Sequence, residues 1–178
     1  MRAEIHMDKI SSLTYKMVAF SEVPNFNMDD TIDWAVEMIS LGHETPSLLI
    51  LAGLSKPTNY FETIDYLKAT LDELHLLVKT GDDGVLSYIS YYIEQIAKGN
   101  NVRENLASVY GFCQLKNYEK PMNDFFLLHW AWSDFDYGNK YTDYWPAATK
   151  ENIESVVIST ADKWVKENKK HYSQIVDN

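Results

Sequence analysis

The stretch MDDTIDWAVEMISLGHETPSLLILAGL, from Met28 to Leu54, decides the fold class. Ile32, Ala35, Val36 and Ile39 recur at i, i+3, i+4 and i+7, the spacing of one face of an α-helix from about Met28 to Leu41. Gly42 stands where a left-handed C-terminal cap belongs. Thr45-Pro46 then reads as an N-cap followed by proline at the first helical position, where a missing N–H costs nothing. The helix it opens, Ser47 to Leu54, is almost wholly apolar, which predicts burial on every side.

Helical signals continue in both directions from this stretch. Upstream, Asp8 is placed to cap a helix through Phe20, and Pro24 with two asparagines makes the loop that follows. Downstream, Asn59 and Glu62 have capping-box spacing for a helix from Tyr60 to about Lys79, striped by Tyr60, Ile64, Leu67, Leu71, Leu74 and Val78 and ended by Gly81. Asp82-Asp83 opens the next, with Val85, Ile89, Tyr92, Ile93 and Ile96 on one face and Gly99 as its stop. Asn101 and Glu104 repeat the box ahead of Val102, Leu106, Val109 and Cys113. Pro121 begins a helix carrying Phe125, Leu128, His129, Trp132 and Phe135. The pattern fails from Asp136 to Thr149, which predicts a loop, and resumes in a last helix capped by Thr149, with Ile153, Val156, Val157, Thr160 and Trp164 inward. No segment sustains the alternation of a strand. The prediction is one all-α domain over 1–178, of about eight helices. Its short connections imply antiparallel hairpins stacked as a bundle or a short solenoid-like array.

Composition narrows the function. The 178 residues are 46% hydrophobic and 24% charged, within the globular range. A chain of this length buries roughly 70% of its unfolded surface, enough for a core without metal or disulfide staples. The lone Cys113 forms no internal disulfide. A formal net charge of −10 disfavours a phosphate backbone as partner, so nucleic acid is not expected. The longest apolar run, Leu48 to Leu54, is too short to span a bilayer, and the N-terminal residues do not read as a signal peptide, so a cytoplasmic protein without a membrane partner is expected.

Motifs for chemistry are weak. Asp72 and His75, with Glu73 beside them, supply only half of the carboxylate–histidine set of a di-iron bundle. The segment Asp134 to Asn139 departs from a calcium loop, with Gly138 at a ligand position and Asn139 where glycine is required. Cys113 lies on an apolar stripe and no glycine-rich phosphate loop is present. Neither a catalytic residue, a metal nor a cofactor is predicted. His129, between Leu128 and Trp130, reads as a core histidine; an acid–base role would require Asp124 or Asp134 to be brought beside it.

Two features point to protein recognition. The Met28–Leu41 helix carries Asp29, Asp30, Asp33 and Glu37, with Glu44 just beyond, and no Lys or Arg stands between Met17 and Ser55. Such a patch raises the rate of encounter with a basic protein, and Trp34, on a second flank with Met38, is placed to anchor the contact. In the loop, Tyr137, Tyr141 and Tyr144 lie among Asp134, Asp136 and Asp143, giving the amphipathic rings that interfaces favour.

The run Asp33-Trp34-Ala35 through Leu41-Gly42, Thr45-Pro46-Ser47-Leu48-Leu49-Ile50-Leu51-Ala52-Gly53-Leu54 and on to Tyr60-Phe61 resembles a segment of small bacterial all-helical proteins, some of them similar to immunity proteins of toxin–immunity systems. The resemblance covers about residues 33–61 and implies a helical segment and an immunity role, with a basic toxin as partner. The function expected is therefore a non-enzymatic, acidic, protein-binding domain that contacts its partner through Asp29, Asp30, Asp33, Trp34, Glu37, Glu44, Asp136, Tyr137, Tyr141 and Tyr144. The alternative is a small helical enzyme or ligand-binding protein with an aromatic pocket near residues 129–145, walled by Trp130, Trp132 and Trp145. A homodimer is the third reading.

Overall fold

A computed structural model describes residues 10–115 and 122–176; the expected helix starts at Asp8 and Pro121 lie outside them. The described chain is all-α. Its helices are α1 (Thr14–Met17), α2 (Asp29–Ser40), α3 (Pro46–Ala52), α4 (Tyr60–Glu73), α5 (Gly81–Ala97), α6 (Val102–Leu115), α7 (Asn123–Asp136) and α8 (Ile153–Tyr172), with a 3-10 turn at Phe20–Glu22. Among the described residues the one β contact is an isolated antiparallel bridge between Leu76 and Val176. No described helix is long and apolar enough to cross a membrane. The chain divides into two compact units, Met1–Tyr88 with His171–Asn178, and Ile89–Lys170.

In the first unit the local signals set the helix ends. Thr45 Oγ1 accepts the Leu48 N–H at the start of α3, and Asn59 Oδ1 accepts those of Phe61 and Glu62 at the start of α4. Gly42, beyond the end of α2, has φ +95°, the left-handed conformation that only glycine adopts without a Cβ penalty. α2 packs on α3 and α3 on α4.

The buried face of α2 differs from the expected one. Thr31, Trp34, Ala35 and Met38 are buried with Ile32, whereas Val36 is 49% exposed. The core stripe is rotated toward the flank that carries the ring, because α1 offers Trp34 a partner: its Nε1–H donates to Thr14 Oγ1 at 2.9 Å. α3 is likewise not buried on every side, since Ser47, Leu48 and Leu51 face inward while Leu49 and Ile50 are exposed. α4 stops at Glu73, earlier than its stripe predicts. His75 takes φ +53°, Leu77 N–H donates to the Ile175 carbonyl at 2.8 Å, and Val78 is exposed.

Gly84, in the first turn of α5, is required by close approach. A Cβ there would lie 2.8 Å from the Lys79 carbonyl oxygen and 2.7 Å from Glu22 Cγ. The glutamate can swing away, but the carbonyl is backbone. Gly84→Ala should therefore lower stability by about 1–2 kcal/mol, the cost of overpacking partly offset by the helix preference of alanine. Chemical denaturation would measure it, and an unchanged midpoint would show that the Lys79 turn yields freely.

In the second unit α6 packs on α7. Val102, Leu106, Val109, Phe112 and Cys113 of α6 are buried, as are Phe125, Leu128, Ala131 and Phe135 of α7. Phe125 meets Trp164 of α8 edge-on at 6.4 Å between ring centroids. Gly99 (φ +75°) stops α5 as its sequence position predicts. Between α7 and α8 the chain is loop, closed by local bonds: Ala148 N–H to the Trp145 carbonyl at 2.8 Å and Thr149 N–H to Asn152 Oδ1 at 2.7 Å. Thr149, expected to cap this end, works through its backbone: its N–H donates to Asn152 Oδ1 while its carbonyl accepts the Asn152 and Ile153 N–H groups at 3.2 and 3.0 Å.

Candidate functional site

The acidic patch predicted on α2 is present but largely engaged within its own unit. Asp29 Oδ1 accepts the Thr58 N–H at 2.8 Å, and Asp30 pairs with Lys16, a lysine almost fully buried and stacked 5.4 Å from the Tyr88 ring. Both carboxylates are half-buried. Asp33 and Glu37 are exposed, yet Asp33 pairs with Lys56 and Glu37 accepts from the Ser11 hydroxyl. Glu44 is exposed beyond the helix. The outward negative charge of α2 thus reduces to Asp33, Glu37 and Glu44, and part of it is already neutralised.

Trp34 leaves the set of contact residues. Its ring has no accessible surface, held by the Thr14 bond while the Thr14 hydroxyl itself points at Met38 Sδ, 3.8 Å away. A side chain committed in this way anchors the core and reaches no partner.

The tyrosines of the loop after α7 are exposed. Tyr137 and Tyr141 are 86% and 85% exposed, and Tyr144 keeps its ring stacked near Trp130, centroids 6.0 Å apart, while still 42% exposed. Asp136 and Asp143 are exposed beside them, and Thr142 is buried, tying the loop down between the rings.

Arg103, on α6, organises the part of α7 next to this loop and was missed in the sequence. Its Nε and Nη2 donate to Asp136 Oδ2 at 3.3 and 3.2 Å, Nη2 also to Ser133 Oγ at 3.0 Å, and Nη1 to His129 Nδ1 at 3.2 Å. The guanidinium carbon lies 5.5 Å from the centre of the Trp132 ring. Tyr110, two turns further along the same face of α6, lies flat on the His129 ring, centroids 3.9 Å apart and planes within 8°. A nitrogen that accepts from a guanidinium cannot carry a proton, so His129 is a neutral imidazole protonated on Nε2. Burial and the Arg103 charge together push its pKa down to about 4, against a smaller upward pull from Asp136. His129 is half-buried and tied to surface groups, which differs from a histidine enclosed in the core. Neither carboxylate considered for it is its partner: Asp134 Oδ1 accepts from Asn139 Nδ2 at 3.3 Å, and Asp124 is exposed in the first turn of α7. The carboxylate that acts on the ring is Asp136, which Arg103 holds. Nothing local announces Arg103, since its partners lie a helix away and its own neighbours in sequence are the ordinary start of α6.

The remaining candidates are spent structurally. Glu73 accepts from the Ser47 N–H and hydroxyl at 3.1 and 2.7 Å at the start of α3, and His75 is an exposed helix stop, so the two do not converge. Among the described residues no group of three His, Cys, Asp or Glu is gathered as metal ligands would be. Burial pushes the Cys113 thiol up to about 11, and it points at the Met122 carbonyl, 3.3 Å away. Such a thiol is not a nucleophile at neutral pH.

What the fold and these groups define is an all-α protein whose exposed rings stand beside carboxylates. No known protein family, curated protein or solved structure matches the chain.

Proposed function

We propose that the chain is a non-enzymatic, acidic, protein-binding molecule whose partner is a basic protein. The observation that carries this reading is the exposure of Tyr137 and Tyr141 beside Asp136 and Asp143, large rings that fill no place in the fold. A net charge of −10 repels nucleic acid and anionic lipid alike and attracts a cationic surface. Charge then serves encounter, through Asp33, Glu37, Glu44 and Asp136, while Tyr137, Tyr141 and Tyr144 slow release. The resemblance of residues 33–61 makes an immunity protein neutralising a toxin the particular case we favour, with the encounter in the cytoplasm.

The test is recovery of the tagged chain from its native cells at low salt, followed by elution at high salt. A basic protein in equal amount is the expected result. With that protein purified, Asp33→Lys with Glu37→Lys should slow association about tenfold at low ionic strength, and Tyr137→Ala with Tyr141→Ala should speed dissociation by a similar factor. Turnover of a small compound that disappears in His129→Gln would overturn the reading.

A further inference from the structure

We infer that the groove along the first turns of α4, lined by Leu54 from the turn after α3 and by Phe61 and Tyr66, and flanked by Glu62 and Asp65, seats a cationic amphipathic segment of a partner protein. The groove is about 480 Å³, within the roughly 300–1,000 Å³ range of binding pockets. Phe61, in the first turn of α4, is 90% exposed, and its ring meets that of Tyr60 edge-on, centroids 5.9 Å apart. Leu49 and Ile50 are exposed on α3, the helix that runs into Leu54. A large exposed ring within an apolar groove rimmed by polar groups has the anatomy of an interface anchor.

Charge selects the occupant. Between Ile10 and Tyr88 twelve carboxylates stand against four lysines. Among the described residues neither Glu62 nor Asp65 forms an ion pair, whereas Asp30 and Asp33 of α2 do. A second copy of the chain would bring its own Glu62 and Asp65 against these, and an anionic membrane would bring phosphates; both juxtapositions are repulsive. A helix with leucines on one face and lysines beside them places its apolar side on Phe61 and Tyr66 and its cations on the two carboxylates, the helix-in-groove mode of recognition. The inference rests on the protein-binding reading and assigns it a second contact surface.

The experiment uses the full chain and a fluorescein-labelled amphipathic helix built of Leu and Lys, with a Leu/Glu helix of the same pattern as control, read by fluorescence anisotropy. The Leu/Lys helix should bind, Phe61→Ala should weaken it about tenfold, some 1.4 kcal/mol, and Asp65→Lys should do the same at low salt only. Phe61 supports no core, so the variant keeps its fold; circular dichroism checks this, and Tyr66→Ala serves as the second variant. Equal binding to wild type and Phe61→Ala would overturn the groove while leaving the protein-binding reading to the α2 and loop variants. Equal binding of the Leu/Glu helix, capture by anionic vesicles, or self-association lost in Phe61→Ala would overturn it in favour of a different occupant. Failure of the Leu/Lys helix to bind at all would overturn it too.

Discussion

Trp34→Ala should destabilise the protein by about 3–5 kcal/mol, the range for truncating a fully enclosed large ring. At the usual sensitivity of a chain this size, that is a fall of roughly 10 °C in Tm. The side chain has no exposed surface, and its removal deletes two things: the volume shared by α1 and α2, and the donor to Thr14. Trp34→Phe separates them. Phenylalanine keeps most of the ring and loses the Nε1–H, so it should cost about 1–2 kcal/mol, leaving the Thr14 hydroxyl its weaker contact with Met38 Sδ. Chemical denaturation of the two variants beside wild type would measure both. A Trp34→Ala protein of native stability that had lost its partner would restore the tryptophan to the surface.

The buried face of α2 is ambiguous in its own sequence. Ile32, Ala35, Val36 and Ile39 satisfy the helical spacing, and so do Thr31, Trp34, Ala35 and Met38. Two stripes sharing Ala35 differ by about one residue in phase, and intrinsic periodicity cannot choose between them. The choice is made by a tertiary partner, the hydroxyl of Thr14 on a helix twenty residues upstream, which can satisfy an indole N–H that would otherwise be buried unpaired. Helix starts were legible for the opposite reason. Thr45 and Asn59 bond to amides three residues or fewer away, so the information needed to place them lies within one turn. The end of α4 was not legible, because Leu74 and Val78 prolong its stripe while the bridge that diverts the chain at Leu76 is supplied by Val176, near the far end of the sequence.

The surface shows the same division. That Tyr137 and Tyr141 lie outside any helical stripe was readable, and both are exposed. Counting carboxylates on α2 gave the sign of its charge but not its availability. Lys16 and Ser11 from one segment, and Lys56 and the Thr58 amide from another, come from either side of α2 in sequence to occupy Asp30, Glu37, Asp33 and Asp29. The exposure of Phe61 is not legible in the sequence, because it belongs to a correctly capped helix, and capping says nothing about which side of the first turn is left uncovered.

The second unit should lose stability as pH falls from about 6.5 to 4, and His129 is the residue responsible. In the unfolded chain its imidazole takes a proton near its ordinary 6.5, whereas in the fold it does so only near 4. The unfolded state therefore binds more protons through this interval, and stability present above pH 6.5 is lost as the pH drops. A gap of that size would correspond to ~3 kcal/mol for an enclosed group, and about 1–2 kcal/mol once solvent screening of a half-buried ring is allowed for. Carboxylates contribute a slope of their own at the acid end, so the measurement is the difference between wild type and His129→Gln, which should flatten the interval from 6.5 to about 4.5. Arg103→Met isolates the cause. It removes the cation and the Nη1 donor but leaves the desolvation and the nearby Asp136, so the His129 pKa, followed through its ring proton by NMR, should rise toward 6.5 without reaching it. The same substitution frees Asp136 from Arg103 and adds its charge to the loop that carries Tyr137. If the loop meets a cationic partner, Arg103→Met should quicken association at low salt even as it weakens the fold, a pairing of opposite effects that a purely structural arginine would not produce. A wild-type His129 that titrated near 6.5 would show instead that Arg103 is not held against the ring in solution.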